Sequence, residues 1–146
     1  MRLAAGFTLP ELLAVIVIAS ILAIVALPRL WGSTFDEEQL YDETFAALRY
    51  AQRTAVAYQR NVCVTFSGGN QLSLTYAPNY GTGQPCGSAL PSGTGASYVV
   101  TAPGTTSYLT ASSFSFNLLG VPSTGQTISL SGGKSITVAA DTGYVH

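Results

Sequence analysis

The stretch from Phe7 to Leu27 constrains this chain more than anything else in it. Its only charge is Glu11, and from Leu12 to Leu27 every residue but Ser20 is apolar. As an α-helix rising about 1.5 Å per residue, the stretch would span about 32 Å, the thickness of a bilayer's hydrocarbon core. A helix apolar all round has no solvent-facing side, so it needs lipid or other helices around it. Two residues do not fit a plain anchor. Glu11 stands near the start of the run, where a carboxylate without a partner is costly. Pro10 stands beside it, and proline is poor in a helix interior but acceptable in the first turn, where its missing N–H would go unbonded anyway.

The preceding residues account for both. Met1 to Gly6 (MRLAAG) form a short leader with one positive charge, Arg2. A secretory signal places its small-residue cleavage site after the apolar run. Here the small residue, Gly6, comes before it, so a cut there leaves the hydrophobic segment on the mature chain. Phe7 then becomes the N-terminus, with its free amine one helical turn from Glu11 in the same chain or in a stacked neighbour. A carboxylate–ammonium pair inside a bundle of such helices offsets the desolvation of both charges and fixes the axial register between subunits. The same cut puts Pro10 in the first turn.

The run Gly6-Phe7-Thr8-Leu9-Pro10-Glu11-Leu12-Leu13 closely resembles the class III signal of type IV pilins and type II secretion pseudopilins. That resemblance implies a prepilin peptidase that cuts after Gly6 and methylates the amine of Phe7, and it makes Glu11 the glutamate that guides assembly. Position 10 is usually a bulky aliphatic, so Pro10 departs from the pattern; the departure bears on packing at the start of the helix. Pro28 matches a helix-kinking proline common in pilins. The domains implied are a leader at 1–6, a transmembrane and filament-core helix at 7–30, its periplasmic continuation at 31–61, and a β-rich head at 62–146. The fold implied is α+β and type IV pilin-like, a long N-terminal helix packed on a mostly antiparallel sheet. Trp31 is placed for the membrane interface, and Arg2 for the cytoplasmic side, although Arg29 counts against a simple charge rule.

Beyond the apolar run, Gly32-Ser33-Thr34 reads as a loop-like break, although family precedent carries the helix through it. Asp36 to Tyr58 then reads as helix, with Leu40, Thr44, Ala47, Leu48, Ala51, Ala55 and Tyr58 at three-to-four spacing on one face. Asp36, Glu37 and Glu38 near its start and Arg49, Arg53 and Arg60 near its end suit the helix dipole without further partners. From Val62 the pattern changes to period two. Val62, Val64 and Phe66 alternate, Ser67-Gly68-Gly69-Asn70 turns the chain, and Leu72, Leu74 and Tyr76 alternate again, a hairpin. Pro78 to Gly95 reads as a long loop. Tyr98–Thr101, Phe114–Leu118, Thr127–Leu130 and Ser135–Val138 are further strands, with a tight turn at Ser131–Lys134 and a short final strand within 141–145. The helix end Ala47-Leu48-Arg49-Tyr50-Ala51-Gln52-Arg53-Thr54-Ala55-Val56 resembles the GspH/FimT branch of the pilin family. So do Phe114–Asn117 through Leu119-Gly120, Ser135–Val138 and the closing Thr142-Gly143. Members of that branch are minor subunits, including the H pseudopilin of type II secretion, FimT-like minor pilins and a minor pilin of mannose-sensitive haemagglutinin pili.

Cys63 and Cys86 are too far apart for a redox CxxC, and a metal site would need more ligands than the single histidine, His146, adds. In an exported chain the pair is most simply a structural disulfide, the alternative being two unpaired thiols. No serine has a histidine partner, no glycine run has a phosphate-loop spacing, and Asp141 is the only carboxylate of the head, too few for calcium. The expectation is therefore a structural or binding subunit, with no enzyme activity, metal or cofactor. Its implied partners are other major and minor pilins or pseudopilins, the prepilin peptidase and an inner-membrane assembly platform. It would sit in the bacterial inner membrane as a single-pass protein, head in the periplasm, before entering a filament near its tip and helping to initiate assembly.

Two other classes of function compete. Some FimT-like pilins capture DNA for uptake through a basic C-terminal tail with a GRxR-like motif. Here the matching place is Gly143-Tyr144-Val145-His146, and Lys134 is the only Lys or Arg past Asn61. Phosphate contacts dominate nucleic-acid affinity, so this head lacks the charge for it. The other is adhesion to a carbohydrate or surface through the loop from Pro78 to Gly95.

Overall fold

The computed structural model describes residues 8–146, with side chains outside residues 24–33. Gly6 and Phe7 lie outside the described residues, and so does the side chain of Pro28. Met1–Gly32 and Ser33–His146 form two compact units. One helix, α1 (Leu9–Tyr58), contributes to both.

In the first unit α1 begins at Leu9, which puts Pro10 in its first turn. The Thr8 carbonyl accepts from the amides of Glu11 and Leu12, both at 3.1 Å. The apolar residues from Leu9 to Leu22 are exposed all round the helix, as their sequence dictates. Ser20 satisfies its hydroxyl internally, donating to the Ile16 carbonyl at 2.6 Å. Among the described residues no helix is long and apolar enough to cross a membrane. Positions 32–34 are helical, so the loop-like break read at Gly32-Ser33-Thr34 is absent. The glycine and two β-branched or hydroxyl residues lower helix propensity without a proline to forbid the conformation.

The second unit is an α+β head. Leu40, Thr44, Ala47, Leu48, Ala51 and Ala55 are fully buried on one face of α1. Tyr58, assigned to the same stripe, is 44% exposed, at the last residue of the helix. A five-stranded antiparallel sheet comprises β1 (Val62–Ser67), β2 (Gln71–Tyr76), β3 (Ser88–Ala89), β4 (Val99–Thr101) and β6 (Phe114–Phe116), with β1 and β2 at its centre. The β1–β2 hairpin pairs Val62 with Tyr76 and Ser67 with Gln71. Gly68 and Gly69 both take positive φ, 61° and 71°, the conformation that matches a tight turn to strand twist. A second sheet of three antiparallel strands runs in the order β5 (Tyr108–Thr110), β7 (Gln126–Leu130), β8 (Ser135–Val138). Val62, Val64, Leu72, Leu74 and Phe116 of the first sheet join Ile128, Leu130, Ile136 and Val138 of the second in one core with the helix stripe. Each fully buried side chain of this size contributes about 1.5–3 kcal/mol.

Two strands escape a reading of the sequence. β5 has three residues and an irregular register with β7, and its middle residue Leu109 is exposed. β3 has two residues and exists because the chain around Cys86 is held against β2. The strand expected to run to Leu118 stops at Phe116, where Asn117 Oδ1 accepts from the amides of Leu119 (2.9 Å) and Val121 (3.0 Å) and bends the chain. The C-terminus folds back on β8 through a Val138–Val145 bridge and paired backbone bonds between Thr137 and His146.

The charges of the helix require a correction. Because α1 begins at Leu9, Asp36, Glu37 and Glu38 lie in mid-helix, and its last turn carries no basic residue, so the dipole does not explain them. They face the turns of the head instead. Glu38 pairs with Lys134, whose ammonium also stands 4.9 Å from the Tyr41 ring. The carboxylates of Asp36 and Glu37 occupy the space that side chains at Gly104 and Gly132 would need. Arg49 lies over the Phe45 ring at 4.3 Å and reaches the Val145 carbonyl at 3.4 Å.

Candidate functional site

Glu11, the residue expected to guide assembly, is exposed on the first turns of α1. Its described polar neighbour is Thr8, whose hydroxyl lies 3.5 Å from Glu11 Oε2, a weak contact at best. Nothing within the described chain compensates this carboxylate in an apolar setting. The other half of the expected pair, the Phe7 amine, lies outside the described residues.

Cys63 and Cys86 form a disulfide, with Cα atoms 6.1 Å apart. Cys63 sits on β1, and the bond draws the loop after β2 back onto the sheet. Asn61 reinforces the tether: its backbone carbonyl accepts from the Ala77 amide at 2.9 Å, and its side-chain amide donates to the Gln84 carbonyl at 3.2 Å.

Three of the four stretches that carry the branch resemblance meet in space. Gln52, on α1, donates from Nε2 to the carbonyls of Gly120 (3.2 Å) and Thr142 (3.1 Å). Gly120 and Gly143 hold positive φ, 78° and 69°. A side chain on Gly143 would collide with the Gly120 carbonyl, and one on Gly120 would press on Val56. The helix, the turn after β6 and the C-terminal turn are thus clasped at one point, and the residue types there follow from close backbone approach.

Two clefts open on the head. One, of about 500 Å³, is lined by Ala57, Tyr58, Gln59, Arg60, Tyr76 and Tyr80 at the C-terminal end of α1. The other, of about 410 Å³, runs between Glu43 and the Ser92–Val100 segment. Beside the second, burial raises the Tyr98 phenol above its ordinary value, helped by the nearby Glu43 and Tyr50. Among the described residues, no cluster of three or more His, Cys, Asp or Glu side chains is arranged to hold a metal.

Residues 1–27 match the family model of the prokaryotic N-terminal methylation motif, and residues 42–143 match that of type II transport protein GspH. No curated protein and no solved structure matches the chain. The second match covers most of the chain and all three stretches joined by Gln52, while the first covers Gly6, Phe7 and Glu11. The chain belongs to the GspH family of pilin-like subunits.

Proposed function

We propose that this subunit is a minor pilin or pseudopilin that helps to initiate assembly of a type IV pilus or a type II secretion pseudopilus. The observation that carries the reading is the joining of two features in one chain. A methylation-type N-terminus bearing Glu11 precedes a GspH-type head, and the apolar face of the intervening helix is uncovered. Prepilin peptidase cuts after Gly6 and methylates Phe7. The segment at 7–30 anchors the subunit in the inner membrane with the head in the periplasm, then enters the filament core through the assembly platform. There Glu11 pairs with a Phe7 amine, and Pro28 is the point at which the helix unwinds.

Initiation is tested by deleting the gene and counting filaments. Few filaments of ordinary length are expected, restored by expression at a small fraction of the major subunit's level. Unchanged filament number would contradict initiation. The processing step is tested separately by Gly6→Val, which should leave the N-terminal mass unshifted. A Gly6→Val chain that still begins at Phe7 would exclude that cleavage site.

DNA capture is the weaker reading. Lys134, the only Lys or Arg past Asn61, is already paired with Glu38. Past Asn61, that leaves no Lys or Arg side chain free to track a phosphate backbone.

A further inference from the structure

The cleft at the C-terminal end of α1 has a lining that the assembly role does not use. Three tyrosines and one arginine face it, and no carboxylate does. The Arg60 guanidinium covers one face of the Tyr80 ring at 4.1 Å and stands 5.8 Å from the Tyr76 ring. Its NH1 donates to the Pro78 carbonyl at 2.8 Å, which fixes the fork in place. Among the described residues Arg60 has no acidic partner, although Lys134 does. An oriented guanidinium that lacks a carboxylate has its remaining N–H donors available for a planar anion.

The rest of the lining supplies what a ring bearing hydroxyls needs. Tyr80 is 72% exposed and Tyr58 44%, so both offer aromatic surface at the mouth. Tyr58 meets Tyr76 edge to face, with ring centroids 6.1 Å apart. The helix stops abruptly here, with Gln59 at a φ of 52°. Among the described residues, the carbonyls of Ala57 and Tyr58 accept no hydrogen bond, as expected at a helix end. Such carbonyls suit hydroxyl donors. The cleft's volume of about 500 Å³ is within the usual range for small-molecule sites. The loop that carries Tyr80 is held by the Cys63–Cys86 disulfide and by Asn61, so the site is preformed.

We infer that this cleft binds an acidic saccharide, a sugar ring bearing a carboxylate. The ring's C–H face lies on Tyr80 and Tyr58, the carboxylate bridges the free N–H groups of Arg60, and hydroxyls donate to the carbonyls of Ala57 and Tyr58. Such a site would let the filament hold acidic polysaccharide, and it is independent of the assembly role.

The test uses the full chain in detergent with a matched pair of disaccharides, cellobiouronic acid and cellobiose, which differ only in the carboxylate. Titration followed by NMR should show the acid binding at least about tenfold more tightly than the neutral sugar, the scale of one charge-assisted contact. Arg60→Gln should abolish that preference, and Arg60→Lys should restore only part of it. Tyr80→Ala, at an exposed position that does not threaten the fold, should weaken the acid by about tenfold, the scale of one aromatic contact. No binding of either sugar at millimolar concentration would overturn the assignment. So would equal binding of both, indifference to Tyr80→Ala, or binding of a short poly-aspartate peptide as tightly as the acidic sugar.

Discussion

Gln52 Nε2 donates to the Gly120 carbonyl at 3.2 Å, and through that bond the helix of the head holds a turn 68 positions away in the chain. The same nitrogen reaches the Thr142 carbonyl, so one side chain closes the helix, the post-β6 turn and the C-terminus together. Gly143 makes this approach possible, since any larger residue there would meet the Gly120 carbonyl.

Gly143→Ala should therefore cost more than backbone strain alone. Gly133→Ala is the matched control: Gly133 also has a positive φ, 79°, but open space around it. The control should lose about 1 kcal/mol from the left-handed conformation, and Gly143→Ala about 2–4 kcal/mol with the collision added. Gln52→Ala should lose about 1–3 kcal/mol by leaving two carbonyls unbonded. Denaturant midpoints of the three variants check this; equal midpoints for the two glycine variants would remove the clasp.

A second prediction concerns alkaline pH. The Tyr108 hydroxyl lies 2.9 Å from Thr44 Oγ1 in the core, joining β5 to α1. Burial raises the phenol above its ordinary 10.0; the Thr44 hydrogen bond pulls it down and Glu43 pushes it up, with the net shift upward. A folded-state value above the unfolded one means that the fold favours the neutral phenol. Its contribution is complete below the unfolded value near 10 and is lost as pH climbs through the folded value. Stability should thus fall with rising pH above about 10, and Tyr108→Phe should flatten that fall while costing about 1 kcal/mol at neutral pH. Tyr98, also raised, leaves a residual slope. An unchanged alkaline profile in Tyr108→Phe would refute the assignment.

The disulfide offers a third. Cys63 and Cys86 are 23 residues apart, and opening a loop of that size costs about 3 kcal/mol in chain entropy. The paired Cys63→Ser, Cys86→Ser variant should lose about that much stability, and limited proteolysis should cut first between Pro78 and Cys86. A variant as stable and as resistant as the parent would show that the backbone bonds of Asn61 suffice.

What could be read from the residues was whatever repeats locally. Val62 to Tyr76 alternates strictly about a Gly-Gly turn, and the structure shows that hairpin. Leu40 to Ala55 keeps helical spacing, and each of those residues is buried. What escaped depends on distant partners. β5 is three residues long and exists because β7 lies beside it, so no local period announces it. The acidic run at Asp36–Glu38 looked like a helix start because its true neighbours, Gly104, Gly132 and Lys134, are far away in sequence. Gln52, Gly120 and Gly143 carried the family resemblance, but only the fold shows that they touch. The aromatic cleft at Arg60 was invisible for the same reason, since its walls come from α1, β2 and the following loop.

We propose that Glu11 acts in assembly and not in maturation. Glu11→Ala should be tested by the mass of its N-terminus together with the amount recovered in sheared filaments. The variant chain should begin at methylated Phe7 as the parent does, yet be lost from filaments by about tenfold or more, the consequence of one uncompensated ammonium in an apolar bundle. Incorporation of Glu11→Ala at the parent's level would contradict it.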